Sequence, residues 1–507
     1  MLSPYADMLL PLALAVPFAA SLLLFAMGRR GHAGLVNAVA AVGFVFPAVA
    51  GAVAWAAFAD NATGAGGYAF LKTLPVGVDA LGIALTLGLN GVSLPLFALA
   101  GVVGAAAGIQ ALSSEGTENR AVYFGLLLFM LGGLLGVFAS VDIFFFYFFH
   151  EFALIPAFIL ILGGGGVGRR TAAIQMAVYL TLGAMVSLAG IILLFLKSGA
   201  GSFNLIALRA ALATAPMSEG DAITVAGLLL LGFGILVSLF PFHSWAPATY
   251  TEAPTPVSML HAGVLKKFGL YGLIQLGALA VPSGLAHWAP VLFWLALGNI
   301  LFIGLVTLSQ RHLKEMVSYS SVMHMGPCFM GIYAFSAGGG HDTTGLGAAV
   351  FLMFAHGLSV AALFALSHGV YRRTGTLDFG ESGGLAKRAP VLAAFFIAAG
   401  MASIGLPGFG NFWGELGVFV SLGKLPVWQL LLVVSSIVIS AIYVLRAVAS
   451  VFLGEEPEAL ARRCETAPIG DITWSERCVS GLLLAVLVAV GFYPRLLSDA
   501  LNKALGN

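Results

Sequence analysis

Apolar segments of about 20 residues recur along the whole of this chain, and that recurrence decides its fold class before any motif is read. At a rise of about 1.5 Å per residue, each such segment crosses a hydrocarbon core of about 30 Å as a helix. Backbone polar groups find no water at that depth, and a helix satisfies them internally. About fourteen spans are expected, centred near residues 17, 46, 101, 130, 152, 184, 232, 266, 298, 326, 357, 400, 440 and 488. Hydrophobic residues make up 60% of the chain and charged residues only 9%, which lies outside soluble composition. The expected fold is therefore all-α and polytopic, with residues 1–507 forming a single membrane domain. The longest polar stretch, Gly454 to Cys478, is read as a loop.

Charge narrows the class further. A net charge of +1, with no basic patch carrying interleaved aromatics, argues against nucleic acid as a partner. Cys328, Cys464 and Cys478 are too scattered for an iron–sulfur cluster or a zinc site, so no cofactor is expected in this chain. No positive charge precedes Arg29, so the first apolar run reads as a span and not as a signal peptide. With the N-terminus outside, the basic loop residues from Arg29 and Arg30 through Arg372 and Arg373 to Arg463 and Arg477 share one side. Lys72, Lys197, Arg209, Lys424, Arg495 and Lys503 fall on the other. The richer side is then cytoplasmic and both termini are periplasmic.

Inside the spans, a few ionisable residues stand out because each is costly there. An amine at mid-membrane costs roughly 2.5 to 3.5 kcal/mol on insertion scales, so the adjacent Lys266 and Lys267 imply a polar interior or a nearby carboxylate. Neighbouring helical residues point about 100° apart, so Lys267 is expected to face the polar axis, and for Lys266 the plain alternative to a channel role is a side chain that snorkels towards the near surface. Glu151 follows the aromatic run Phe144 to Phe149, and Asp142 lies near the membrane edge. His324 carries Ser320 and Ser321 one turn before it, and His356 carries Ser359 three residues on, so each sits on a short polar stripe. His261 points elsewhere on the lysine helix, and His243 shapes a turn. For each histidine the plain alternative is an interhelical hydrogen bond; for Glu151 it is a structural ion pair. Two spans are broken, one at Pro241 and one at Pro407-Gly408, with Glu415 just beyond the second break. Gly163 to Gly166 imitates a phosphate loop, but no Gly-Lys-Ser/Thr follows.

The broken stretches also carry a resemblance. His243-x-Trp245-x-Pro247, Glu252-Ala253-Pro254-Thr255, Ala262 to Lys267 with Tyr271-Gly272, Leu313 to Gly326, Ala355-His356-Gly357-Leu358 and Met401 to Gly408 occur in order. Together they resemble the antiporter-like subunits of respiratory complex I, subunit M most closely. The resemblance implies two inverted five-helix repeats, residues 121–281 and 287–453, with helices 7 and 12 broken. It implies proton-channel roles for Glu151, Lys267 and Glu415, which with His324 and His356 read as a chain of titratable groups; Lys266, His261 and Asp142 are candidate additions.

It further implies a proton-translocating subunit of NADH:quinone oxidoreductase in the bacterial inner membrane. Flavin and iron–sulfur clusters would lie in partner subunits, quinone would bind elsewhere in the complex, and antiporter-like siblings L and N would flank the chain. A subunit of a cation/proton antiporter or membrane-bound hydrogenase, or an antiporter-like subunit that no longer pumps, are the alternatives. The pattern departs from the family at one point: the usual helix 7 lysine is Leu236, and no Lys or Arg occurs between Ala222 and Leu265. Glu151 then lacks its usual partner, and Lys266 is the expected replacement.

Overall fold

A computed structural model describes residues 6–61, 67–114, 119–458, 460–462 and 469–506; Arg463 and Cys464 lie outside the described residues. Within these, 11 helices are long and apolar enough to cross a membrane. The remaining expected spans are built from shorter helices laid end to end: Thr255–Leu260 with Lys267–Gly272, Leu313–Met323 with Met325–Ala337, and Pro390–Ile404 with Gly410–Leu422. The span Glu219–Val237 is likewise followed, after a break, by Trp245–Glu252. Helix Trp474–Phe492 begins inside the stretch read as a loop, where Thr473 and Glu476 form a reciprocal cap.

One element was not anticipated. Strands β1 (Ala69–Val78) and β2 (Ile83–Leu89) form an antiparallel hairpin. Short apolar runs such as these do not distinguish strand from helix in sequence. Gly77 holds a φ of 149°, and a Cβ there would meet the Ile83 carbonyl oxygen at 2.2 Å. Leu87 bridges to Ser140, so the hairpin is fastened to the loop before helix Ile143–Gly164. The face carrying this hairpin is the one assigned to the periplasm by charge.

Broken helices leave polar backbone groups deep in the molecule, and their partners can be named. Helix Glu219–Val237 ends at Ser238, whose φ is 65°. The Asn299 side chain accepts from the Phe240 amide at 2.7 Å and donates to the carbonyls of Ser238 at 3.1 Å and Val322 at 2.9 Å. The Trp245 indole donates to the Ile235 carbonyl at 3.1 Å. One fully buried asparagine thus supplies three bonds at the first break. At the second break Gly405, with a φ of 86°, ends helix Pro390–Ile404, and the Ser403 carbonyl accepts from His324.

Two isolated backbone bridges resemble each other. Asp142, before helix Ile143–Gly164, bridges Asn204; His312, before helix Leu313–Met323, bridges Asp378. In each case the first residue caps the helix it precedes. Asp142 Oδ1 accepts from the amides of Phe144 and Phe145 at 2.9 and 3.2 Å, and its Oδ2 from the Ala84 amide at 3.1 Å. His312 Nδ1 accepts from the Glu315 amide at 3.4 Å.

Candidate functional site

The lysine pair sits at a local change of helix. Between Thr255–Leu260 and Lys267–Gly272 the chain makes a π turn, His261–Leu265, in which the Lys266 amide bonds to the His261 carbonyl five residues back. Such insertions rotate everything that follows and recur at functional sites. Here both lysines turn inward, with Lys266 1% and Lys267 0% exposed. The reading in which Lys266 snorkels to the surface is therefore corrected: 100° of separation still leaves both stems inside when helices surround the turn.

Lys267 Nζ donates to the Ala262 carbonyl at 2.6 Å and lies 3.0 Å from His356 Nδ1. That contact is possible because the two helices touch backbone to backbone beneath it. A Cβ on Gly357 would meet the Gly263 carbonyl oxygen at 2.6 Å, and one on Gly263 would meet the Gly357 oxygen at 3.1 Å. The His324 ring centroid is 5.5 Å from that of His356. His324 occupies the joint between Leu313–Met323 and Met325–Ala337, and its two ring nitrogens face the carbonyls of Ser320 at 2.8 Å and Ser403 at 2.9 Å. A neutral imidazole donates to only one carbonyl; the protonated ring satisfies both. The Tyr443 hydroxyl stands 3.5 Å from His324 Nδ1.

Onward from His356 the polar groups continue. Ser359 donates to the His356 carbonyl at 3.2 Å, and Asn411 Nδ2 donates to Ser359 at 3.4 Å. Asn411 precedes Glu415 by one turn of helix Gly410–Leu422. Glu415 is 4% exposed, its carboxylate packed against Gly405 in the break. The structure therefore brings Lys267, His324, His356 and Glu415 into one buried row. Ser359 and Asn411 lie among them, as does Tyr443, to which the sequence had not pointed.

Lys266 leads the other way. Its amine donates to the Ser321 carbonyl at 3.3 Å and hydroxyl at 3.4 Å, and lies 5.0 Å from the centre of the Tyr250 ring. On the same helix as Ser321, Ser318 accepts from Thr251 at 3.2 Å. Thr251 lines a cleft of about 1080 Å³ on the face opposite the hairpin, together with Glu252, His312, Lys314, Glu315 and His368. The glycine loop closes one edge of this cleft: Glu252 Oε2 accepts from the Gly168 amide at 2.9 Å, so a carboxylate of this chain occupies the place an anion would take. His261 is 1% exposed, with its ring between Trp245 and Tyr250 at centroid distances of 5.6 and 5.2 Å.

Two residues stand apart from these rows. Asp142 is fully engaged in capping, which gives it a structural role. Glu151 is only partly buried: its side chain is 35% exposed, although Oε1 is enclosed, 3.5 Å from His150 Nδ1. It makes no ion pair with Lys266 among the described residues, so the expected replacement pair is not formed. His150 stacks on Phe268 at 3.8 Å, and Phe268 adjoins Lys267 in sequence. It was missed because it closes an aromatic run that reads as packing surface.

Broken helices with buried titratable side chains strung between them are the architecture of an antiporter-like membrane subunit. The family described as "NADH:quinone oxidoreductase/Mrp antiporter, TM" matches residues 140–440, and the chain belongs to it. NAD(P)H-quinone oxidoreductase chain 4 of a Picosynechococcus species is 35% identical over 429 residues, covering 83% of this chain and 77% of the relative. The chain 4 protein of Gloeobacter violaceus is 32% identical over 430 residues, covering 83% and 78%. A chain of respiratory complex I from Thermus thermophilus superposes with a TM-score of 0.83 at 26% identity, covering 98% of both. A chain of the Mrp complex from a Dietzia species gives 0.83 at 20% identity, covering 99% of this chain and 97% of that one, and shares the fold.

Proposed function

We infer that this chain is the proton-translocating, subunit M-like member of a NADH:quinone oxidoreductase in a bacterial cytoplasmic membrane. The observation that carries the reading is the 3.0 Å contact between Lys267 and His356 at the head of a buried row ending at Glu415. A lysine and a histidine in contact share one proton between them, and the row offers it a succession of acceptors. Flavin and iron–sulfur centres reside in partner subunits, and the chain itself moves protons and no electrons. Protons enter from the cleft on the cytoplasmic face, pass Thr251, Ser318 and Ser321 to Lys266, and reach Lys267 beside it. They then leave by His356 and Glu415, with His324 as a side acceptor.

The organisation into repeats 121–281 and 287–453 belongs to the same proposal. Matching bridges at Asp142–Asn204 and His312–Asp378 support it, since one lies on each face as an inverted pair requires. With Leu236 in helix 7, Lys266 is the amine that receives protons in the first repeat. The test is Lys267→Ala in the assembled complex: proton pumping per NADH oxidised should fall sharply while the complex still copurifies with its flavin and iron–sulfur subunits. Unchanged pumping in an assembled complex rejects the row. Copurification without a redox partner would instead favour a cation/proton antiporter, whose Mrp relative shares the fold.

A further inference from the structure

Below Lys267, towards the hairpin face, the same helix continues with polar residues that the row to Glu415 does not use. Tyr271 and Gln275 follow Lys267 at intervals of four residues, and both are 2% exposed. The Tyr271 phenol faces Ser93 and Gln275. Next comes Arg209, from the short helix Leu205–Thr214, whose Leu205, Leu208 and Leu212 are buried and hold it in place. Its guanidinium donates to the Gln275 backbone carbonyl at 2.8 Å and side-chain oxygen at 2.5 Å, and it faces Tyr68 and Tyr271. Arg209 Nε, Gln275 Nε2 and the Tyr68 hydroxyl are buried with no protein partner. No carboxylate pairs with this arginine among the described residues.

A polar spur thus runs from Lys267 to the hairpin face, and it ends at an unneutralised cation. We propose that Arg209 is an electrostatic plug that closes this spur, keeping protons on Lys267 from escaping outward through the first repeat before they pass to His356. Two properties make arginine a barrier and not a relay. It does not give up its proton at any attainable pH, so it cannot hand one on. Its fixed charge, on a half-buried guanidinium whose Nε is enclosed, repels an approaching hydronium, as arginines do in pores that exclude protons. Tyr271 and Gln275 fix the guanidinium across the spur and are positioning residues. The proposal rests on Lys267 carrying protons, as argued above.

The experiment uses the whole complex reconstituted in vesicles, with two readouts: decay of an imposed pH gradient without turnover, and protons pumped per NADH oxidised. Arg209→Gln should raise the passive leak by about tenfold and lower the pumped ratio, with NADH oxidation continuing. Arg209→Lys should restore tightness only in part, since it returns the charge but on an amine that can release its proton. Adding Lys267→Ala to Arg209→Gln should abolish the leak, because the spur is then cut off from its source. Should Arg209→Gln fail to assemble, Gln275→Leu removes the side-chain oxygen that anchors the guanidinium and should leak in the same way. A leak at the wild-type level in an assembled Arg209→Gln or Gln275→Leu complex overturns the plug, as does Arg209→Lys leaking as freely as Arg209→Gln. If Lys267→Ala alone leaves pumping intact, it is the proton row that fails; if it stops pumping while Arg209→Gln stays tight, only the plug fails.

Discussion

The Lys267 amine touches the His356 imidazole, Nζ to Nδ1 at 3.0 Å, across a crossing where Gly263 and Gly357 bring two helix backbones into contact. An ammonium donates to the bare Nδ1 of a neutral ring; a neutral amine accepts from a protonated one. The pair therefore holds one proton comfortably and two at a cost, which sets up a hand-over from either side.

That crossing predicts a mutation far from any titrating atom. Gly357→Ala places a methyl group 2.6 Å from the Gly263 carbonyl oxygen, and the helices must separate to admit it. Overpacking of this kind costs about 1 to 3 kcal/mol, so the complex should still assemble. Pumping should nonetheless fall, because the amine and ring are drawn apart. Normal pumping by assembled Gly357→Ala would show that the contact is dispensable.

Glu415→Gln keeps the shape of a buried side chain packed against Gly405 but removes its proton. Assembly should be preserved and proton transfer lost, read as NADH oxidation with little acidification. Wild-type stoichiometry would place the exit elsewhere.

Lys266 lies on Ser321 and Glu151 lies partly exposed beside His150, so the two act apart. Losses in Lys266→Ala and Glu151→Gln should then add, to within about 0.5 kcal/mol of activation free energy, as independent sites do. A double variant no worse than either single would restore the pairing that the structure does not form. Lys266→Ala should be the more severe change, since it vacates a buried position between the cleft and Lys267.

On the hairpin face, Asp342 accepts hydrogen bonds from Lys424 and Thr344, which hold its carboxyl at about 2 against an ordinary value of 3.8. A lowered carboxyl stabilises the folded form above the unfolded value, and that contribution disappears as pH falls through the folded one. The acid-unfolding profile of Lys424→Ala should therefore depart from the wild type above about pH 4 and converge with it below about pH 2. The side chains are a third or more exposed, so added salt should shrink the difference. Profiles that stay parallel down to pH 2 would remove this link between the two loops.

Orientation is testable independently of any proton chemistry. Reporter fusions at Gly375 and Gly340, in loops at opposite ends of helix Thr344–Thr374, should report cytoplasm and periplasm respectively. The reverse pattern would turn the cleft at Lys314 into an outlet.

Much of this was legible in the sequence, for definite reasons. Apolar length marks a span whatever surrounds it, and a charge within a span is conspicuous because it is costly; hence Lys267, His324, His356 and Glu415 were found. Proline and glycine betrayed the two breaks. What escaped depends on local geometry that composition does not encode. Lys266 turns inward because of a π turn at His261–Leu265, which no residue in that stretch advertises. Glu151 was expected to be buried because its helix is apolar on every side, yet the exposed Ile155 and Ile159 show that part of that surface faces outward from this chain. Asn299, which satisfies the first break, is an ordinary residue until its three partners are seen.

Lys267, His356 and the joint at His324 each fall near the middle of the span that bears them. Moving one elementary charge right across a membrane is worth about 2.3 kcal/mol per 100 mV, but only displacement along the field counts. A step from helix to helix at constant depth is electrically silent. On the path proposed above, the voltage of the membrane would therefore act on two steps, the ascent from the cleft to Lys266 and the descent beyond Glu415. On that path, the rates of transfer along the lateral stretch between them would be the same whether the membrane is charged or slack.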